Sequence, residues 1–222
     1  AVGFPAIIGM RGVISAGYFA AEVYVPLALQ EIRDVSVANF PNLSQLSLDR
    51  NPLKTLSFSE DQPIYALNIN GTGFKDFESL ANIADTLGHL TAQRNGITTV
   101  AALKSFSSLG HLNLERNEIS VIGDAFDAMS GTNIYLNQNP ILCTEQARFE
   151  SLAVNVYFDG QCATDADGDG RPDALDAFPN DIAASVDSDG DGYGDDANGS
   201  NPDAFPDDPT EWADTDGDDV GN

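Results

Sequence analysis

Asp165, Asp167 and Asp169 stand at alternate positions, followed by Gly170, Arg171, Asp173 and Asp176. Counted from Asp165, carboxylates fall at positions 1, 3, 5, 9 and 12 and glycine at position 6, where it permits a sharp turn. Carboxylates converging at this spacing repel one another unless a cation neutralises them. The donors are all oxygens, with the Arg171 carbonyl added at position 7, and that set suits calcium. The pattern returns with Asp187, Asp189, Asp191, Gly192, the Tyr193 carbonyl and Asp195. Its closing position is open between Asn198 and Asp203, because Gly199-Ser200-Asn201-Pro202 is inserted there. A third copy begins at Asp214, Asp216 and Asp218, but Asp219 stands where the glycine belongs and the sequence stops at Asn222 before a closing ligand.

The loop spacing is that of an EF-hand, yet D-A-F-P follows the loops at Asp176 and Asp203, where an EF-hand or a dockerin would place a helix. The segment resembles thrombospondin type 3 repeats more closely, whose D-x-D-x-D-G-x-x-D-x-x-D-x-C-P motif is matched from Asp165 to Pro179 with Phe178 in the cysteine's place. Phe205 repeats that exchange. The resemblance implies calcium along residues 163–222, with Phe178, Phe205 and Trp212 packing where relatives have disulfides. Leucine nearly vanishes from this segment, so an apolar core cannot order it and the metal must.

Charge follows the same division. Of the net −25, residues 163–222 hold −18, with Arg171 as their sole base, which leaves −7 for the preceding residues. That balance excludes nucleic acid as a partner, since phosphates demand a basic surface. The chain also has no G-x-S-x-G elbow, no phosphate-cradling glycine loop and no H-E-x-x-H, and it is read as a binding protein, not an enzyme.

What precedes the aspartates is a repeat. Phe106 to Ile122 reads F-x-x-L-x-x-L-x-L-x-x-N-x-I-x-x-I, and the anchors Leu46, Leu67, Leu90, Leu112 and Ile134 lie 21, 23, 22 and 22 residues apart. This pattern at this period resembles the short bacterial, internalin-like leucine-rich repeat. The implied fold is a solenoid over residues 24–142: a parallel sheet on the concave side, short helical or irregular segments on the convex side, and leucines buried between neighbouring coils. Asn51, Asn95, Asn117 and Asn139 are expected to bond adjacent coils as a buried ladder that Thr72 interrupts. The first coil has two candidate frames, one through Tyr24, Leu27, Leu29 and Ile32, the other through Ile32, Val35 and Val37.

Two further segments flank the repeats. Residues 1–23 are apolar but carry Arg11 and several glycines, which spoils a transmembrane helix. They are expected either to cap the first coil or to act as a membrane anchor or packing segment in an assembly. Residues 143–162 are expected to form a cap of short helix and final strand. Leucine-rich repeat ectodomains often end in a cysteine-stapled cap after an Asn-Pro turn, here Asn139-Pro140, and the resemblance implies a Cys143–Cys162 disulfide and an oxidising compartment.

Strand register then gives a concave face of Gln45, Asp49, Arg50, Asn68, His89, Gln93, Arg94, His111, Asn113, Glu115, Arg116 and Tyr135. His89 and His111 share a column, as do Arg94 and Arg116, and a solvated polar face is weighed there against a two-histidine metal site. The functional expectation is a secreted or cell-surface bacterial adhesion protein whose face meets a protein or surface glycan, or another copy of itself, above a calcium-stiffened stalk. The alternative is a structural subunit of an extracellular filament or surface layer.

Overall fold

The computed structural model describes residues 9–15, 18–24, 34–36, 42–60, 62–217 and 221, with side chains described from Asn42 onward. The chain divides into two compact units, one of Ala1–Asn139 with Arg148–Gly160, the other of Pro140–Ala147 with Gln161–Asn222.

In the first unit every clear repeat contributes one strand. These are β4 (Leu43–Ser47), β6 (Ala66–Asn68), β7 (His89–Thr91), β8 (His111–Asn113) and β9 (Asn133–Tyr135), and β10 (Asn155–Tyr157) adds a sixth parallel strand. The register pairs Leu46 with Leu67, then Leu90, Leu112, Ile134 and Val156. Side chains alternate across a strand, so the first five of these are buried while their neighbours on either side face outward, partly exposed. Parallel pairing continues beyond the strands, since Arg50 N–H donates to Asn70 C=O, Gly71 to Gln93, Arg94 to Glu115 and Arg116 to Asn137. Short 3₁₀ turns at Phe77–Ile83 and Ala101–Ser105 bury Phe77, Leu80, Ile83 and Leu103.

The asparagines join one repeat to the one before. Asn117 Nδ2 donates to Ala92 C=O and to Leu114 C=O, while its Oδ1 accepts the N–H groups of Asn95 and Ile97. Asn95 reaches Ile69, Thr72 and Gly73 in the same way, and Asn139 reaches Leu114 and Ile119. Asn51 donates to Leu48 C=O and Asp49 C=O of its own turn. Thr72, in the asparagine place, bonds within its own turn, where its hydroxyl donates to Ile69 C=O and accepts Phe74 N–H, and meets Asn95 Oδ1 of the next repeat at 3.2 Å.

Before the repeats the described residues form three strands. β1 (Gly9–Ser15) and β2 (Tyr18–Tyr24) form an antiparallel hairpin, and β2 runs parallel to β4, placing Val23 opposite Leu46. β3 (Asp34–Ser36) pairs instead with β5 (Thr55–Ser57) in a separate two-stranded sheet, Val35 opposite Leu56. Neither candidate frame anticipated Val23 as the anchor, and Leu27, Leu29, Ile32 and Val37 lie outside the described residues. No helix among the described residues is long and apolar enough to cross a membrane.

In the second unit, α1 (Cys143–Gln146) begins the only regular element, and the Cys143–Cys162 disulfide closes it with a Cα–Cα separation of 4.7 Å. Ala163 N–H donates to Ile141 C=O and Cys143 N–H to Ala163 C=O beside it. From there the chain is a succession of turns with almost no apolar interior: among the described residues beyond 163, Pro172 and Ala184 are the apolar side chains that are buried.

Candidate functional site

The aspartate loops are built by the carboxylates themselves. In the first, Asp165 accepts the N–H groups of Gly168 at 2.7 Å and Gly170 at 3.0 Å. Asp167 then takes Asp169 N–H, and Asp169 takes Arg171 N–H. In the second, Asp187 accepts from Gly190 and Gly192 at 2.7 and 3.0 Å, Asp189 from Asp191, and Asp191 from Tyr193. Each loop turns through two glycines with positive φ, 81° and 95° at Gly168 and Gly170, 84° and 94° at Gly190 and Gly192. A side chain is strained in that region, so these positions demand glycine.

The folding brings the right atoms together. Asp165, Asp167 and Asp169 offer one carboxylate oxygen each within 4.8 Å of one another, and so do Asp187, Asp189 and Asp191, and either group could hold a metal ion. The second oxygens supply a sharper test. Oδ2 of Asp167, Asp176, Asp189, Asp191 and Asp203 is buried and has no hydrogen-bond partner. A buried, unpartnered carboxylate oxygen is costly and demands explanation. Five of them in two equivalent loops, all facing carboxylate neighbours, fit a hard cation that takes oxygen ligands.

The orphaned oxygens also choose the closing ligand. Asp176 and Asp203 are equivalent: each accepts the N–H two residues on, Phe178 at 2.8 Å and Phe205 at 2.7 Å, through Oδ1 and leaves Oδ2 aimed inward. Asn198 is exposed and bonded to Asp196, so the structure brings Asp203, and not Asn198, to the second loop. The inserted residues 199–202 pair back on the loop: Gly194 N–H donates to Asn201 C=O, Asp203 N–H donates to Gly194 C=O, and Ser200 N–H is held by Asp181 Oδ2.

The position-9 carboxylates do something else. Asp173 accepts Ala166 N–H at 2.7 Å and the Thr164 hydroxyl at 2.6 Å; Asp195 accepts the N–H and hydroxyl of Ser188 at 3.0 and 2.6 Å. Both oxygens are committed to tying the end of the loop to its start. Thr164 and Ser188 went unnoticed in the sequence because they sit on opposite sides of the first aspartate. Arg171 and Tyr193 occupy position 7, and Tyr193 stacks on Trp212 with centroids 5.0 Å apart and planes 6° from parallel. In the third copy Gly217 N–H donates to Asp214, Asp216 is exposed, and Asp218 lies outside the described residues.

Crowding perturbs two of these groups. Burial pushes the Asp176 carboxyl above its ordinary value, with Asp169 and Asp167 adding to the shift against the opposing hydrogen bond from Phe178. Asp189 is raised by burial first and by Asp191, Asp203 and Asp187 after it, against the hydrogen bond from Asp191 N–H.

The outward face of the first unit carries the other candidate residues. Asp49 accepts Asn68 Nδ2 at 2.8 Å and Asn70 N–H at 2.9 Å; Gln93 N–H donates to Asn70, and Glu115 accepts Asn137 Nδ2 at 2.6 Å. Asn113 accepts Glu115 N–H, and Gln45 is exposed on β4. His89 and His111 stack at 4.1 Å with planes 2° apart, His111 meets Tyr135 at 5.0 Å, and Tyr135 stacks on Tyr157 at 4.6 Å. Tyr157 was missed because β10 lies outside the repeat pattern. Partial burial lowers both histidines from their ordinary value, and the neighbouring His89 lowers His111 further. Among the described residues no third ligand completes a metal site at this pair.

No protein-family model matches the chain, and no curated protein matches it in sequence.

Proposed function

We propose that the chain is a secreted or cell-surface bacterial binding protein: a leucine-rich repeat solenoid with a recognition face, followed by thrombospondin type 3-like repeats that calcium orders. The observation that carries the calcium reading is the set of five buried carboxylate oxygens without partners in two loops of matching geometry. Asp165, Asp167, Asp169 and Asp176 would hold one ion, and Asp187, Asp189, Asp191 and Asp203 the other, with the Arg171 and Tyr193 carbonyls beside them. Calcium supplies charge neutralisation here, not reaction chemistry. The protein residues supply the rest, since backbone N–H groups and the bonds of Asp173 and Asp195 orient the carboxylates within each loop.

The solenoid reading is supported by one strand per repeat in parallel register and by asparagines that tie each repeat to the one before it. The disulfide supports an oxidising compartment, where extracellular calcium reaches the millimolar range that such modules use. Calorimetry of the full chain with calcium, alongside limited proteolysis in chelator, tests the proposal. Two binding events are expected, with residues 163–217 becoming protease-sensitive in chelator while 42–139 stay resistant. Absence of heat at millimolar calcium would overturn it.

A further inference from the structure

Arg50, Arg94 and Arg116 occupy one equivalent position in three repeats, and their backbones are left-handed, with φ of 58°, 56° and 59°. Side chains other than glycine are disfavoured there. The second repeat meets the same demand with Gly71, φ 63°. Three arginines have been kept where glycine would relieve the backbone, in a chain with 35 acids and only 10 bases.

Those guanidiniums are exposed and make no ion pair among the described residues, where Arg148–Asp127 is the one pair formed. The nearest acids are otherwise engaged: Asp49 is bonded to Asn68 and Asn70, and Glu115 to Asn137. Beside this column the stacked rings of His89, His111, Tyr135 and Tyr157 cross four successive strands. The surrounding outward positions present Asn, Gln, Thr and Ser side chains, and Ala66 is the sole aliphatic one on β4 to β9. Arginine and tyrosine also anchor protein interfaces, but there they sit in a desolvated centre, and here the side chains around them are short and polar, suited to hydroxyls.

From this juxtaposition we infer that the outward sheet face binds an anionic glycan, its carboxylates or sulfates on the arginine column and its hydroxyls on the amides and ring edges. This rests on the recognition-face reading above and names its ligand class. Arginine suits the role because its planar fork grips an oxyanion through two hydrogen bonds. The chain's overall negative charge does not forbid it, since charges more than about 8 Å away are largely screened at physiological ionic strength.

The probe is a heparin-derived oligosaccharide, titrated calorimetrically into the full disulfide-bonded protein with calcium present. Unsulfated dextran, dextran sulfate and a polyglutamate peptide form the other arms. Gln138 adopts φ 59° at the same position in its own repeat, so R94Q and R116Q are tolerated by the backbone and remove only the cation. Each is expected to weaken binding on the order of tenfold, R94K and R116K less, with unchanged thermal unfolding. Binding of dextran sulfate but not dextran would support the anionic class. Equal binding of dextran, preference for polyglutamate, no binding of either polyanion, or affinity untouched by R94Q/R116Q would overturn the inference. If the protein still binds calcium and bacterial or host surfaces in that event, the broader recognition reading survives it.

Discussion

Asp203→Asn separates the two candidates for closing the second aspartate loop. The substitution keeps the Oδ1 that accepts Phe205 N–H but puts an amide NH₂ where Oδ2 is buried without a partner. It removes one of four carboxylates facing the loop centre. A divalent ion and a carboxylate at the usual ~2.4 Å attract by about 3 kcal/mol even at the dielectric of water, before either is dehydrated. Affinities of such loops span about six decades as ligand charge and rigidity change, so one carboxylate in four is worth roughly 2 to 3 kcal/mol, or about thirty- to a hundred-and-fortyfold. Asn198→Ala touches an exposed side chain bonded to Asp196 and should move affinity by less than about twofold. The chain's single tryptophan reports on this loop directly, because Trp212 stacks on Tyr193 and Tyr193 N–H is held by Asp191. Tryptophan fluorescence during a calcium titration should therefore shift its midpoint in D203N and hold it in N198A. D176N, in the first loop, should leave that midpoint alone while weakening the other site seen by calorimetry. Equal losses in N198A and D203N, or a wild-type midpoint in D203N, would refute the reasoning from orphaned oxygens.

Acid should act in opposite senses on the two forms. Asp176 and Asp189 are held above their unfolded values, so without metal their charged forms penalise the folded loops at neutral pH, and protonation relieves that penalty as pH falls through their folded values. Chelated protein should gain protease resistance in residues 163–217 as pH falls from neutrality through the raised folded values of Asp176 and Asp189, while calcium-loaded protein should release its ions as the ligands protonate; calcium-electrode titration and proteolysis at matched pH measure both. Reducing the disulfide, which spans 19 residues, should cost about 3 kcal/mol in the chain-entropy account and expose residues 143–162 to cleavage. Mass spectrometry of the unreduced digest should find Cys143 linked to Cys162, and free thiols there would contradict the structure. Asn117→Ala strands the N–H groups of Asn95 and Ile97 and the carbonyl of Ala92, while Leu114 C=O keeps Asn139, and should cost about 3 kcal/mol on denaturant unfolding.

Much of this architecture was legible because it is periodic. Leucines at a constant spacing can be buried only if neighbouring repeats stack in parallel, and the observed register from Leu46 to Ile134 follows from that constraint. Asn95, Asn117 and Asn139 could be assigned to inter-repeat bonds for the same reason, and Thr72 to a weaker version of them. The hairpin of β1 and β2 was not legible, because glycine-rich apolar sequence has no period that distinguishes a packing segment from two strands.

The aspartate spacing by itself determined that carboxylates would converge twice, since alternation along a turn and glycine at the sharp bend are local properties of the chain. Which residue completes each loop was decided only by the tertiary structure. The insertion at residues 199–202 breaks the count, and it is the pairing of Gly194 with Asn201 and Asp203, with Ser200 held by Asp181, that sets Asp203, and not Asn198, in the place Asp176 holds in the first loop. The bonds of the position-9 aspartates have the same origin, because spacing alone does not show that Thr164 and Ser188 meet Asp173 and Asp195. Spacing fixes where a side chain can reach, but the bonds it makes depend on partners that distant parts of the chain deliver.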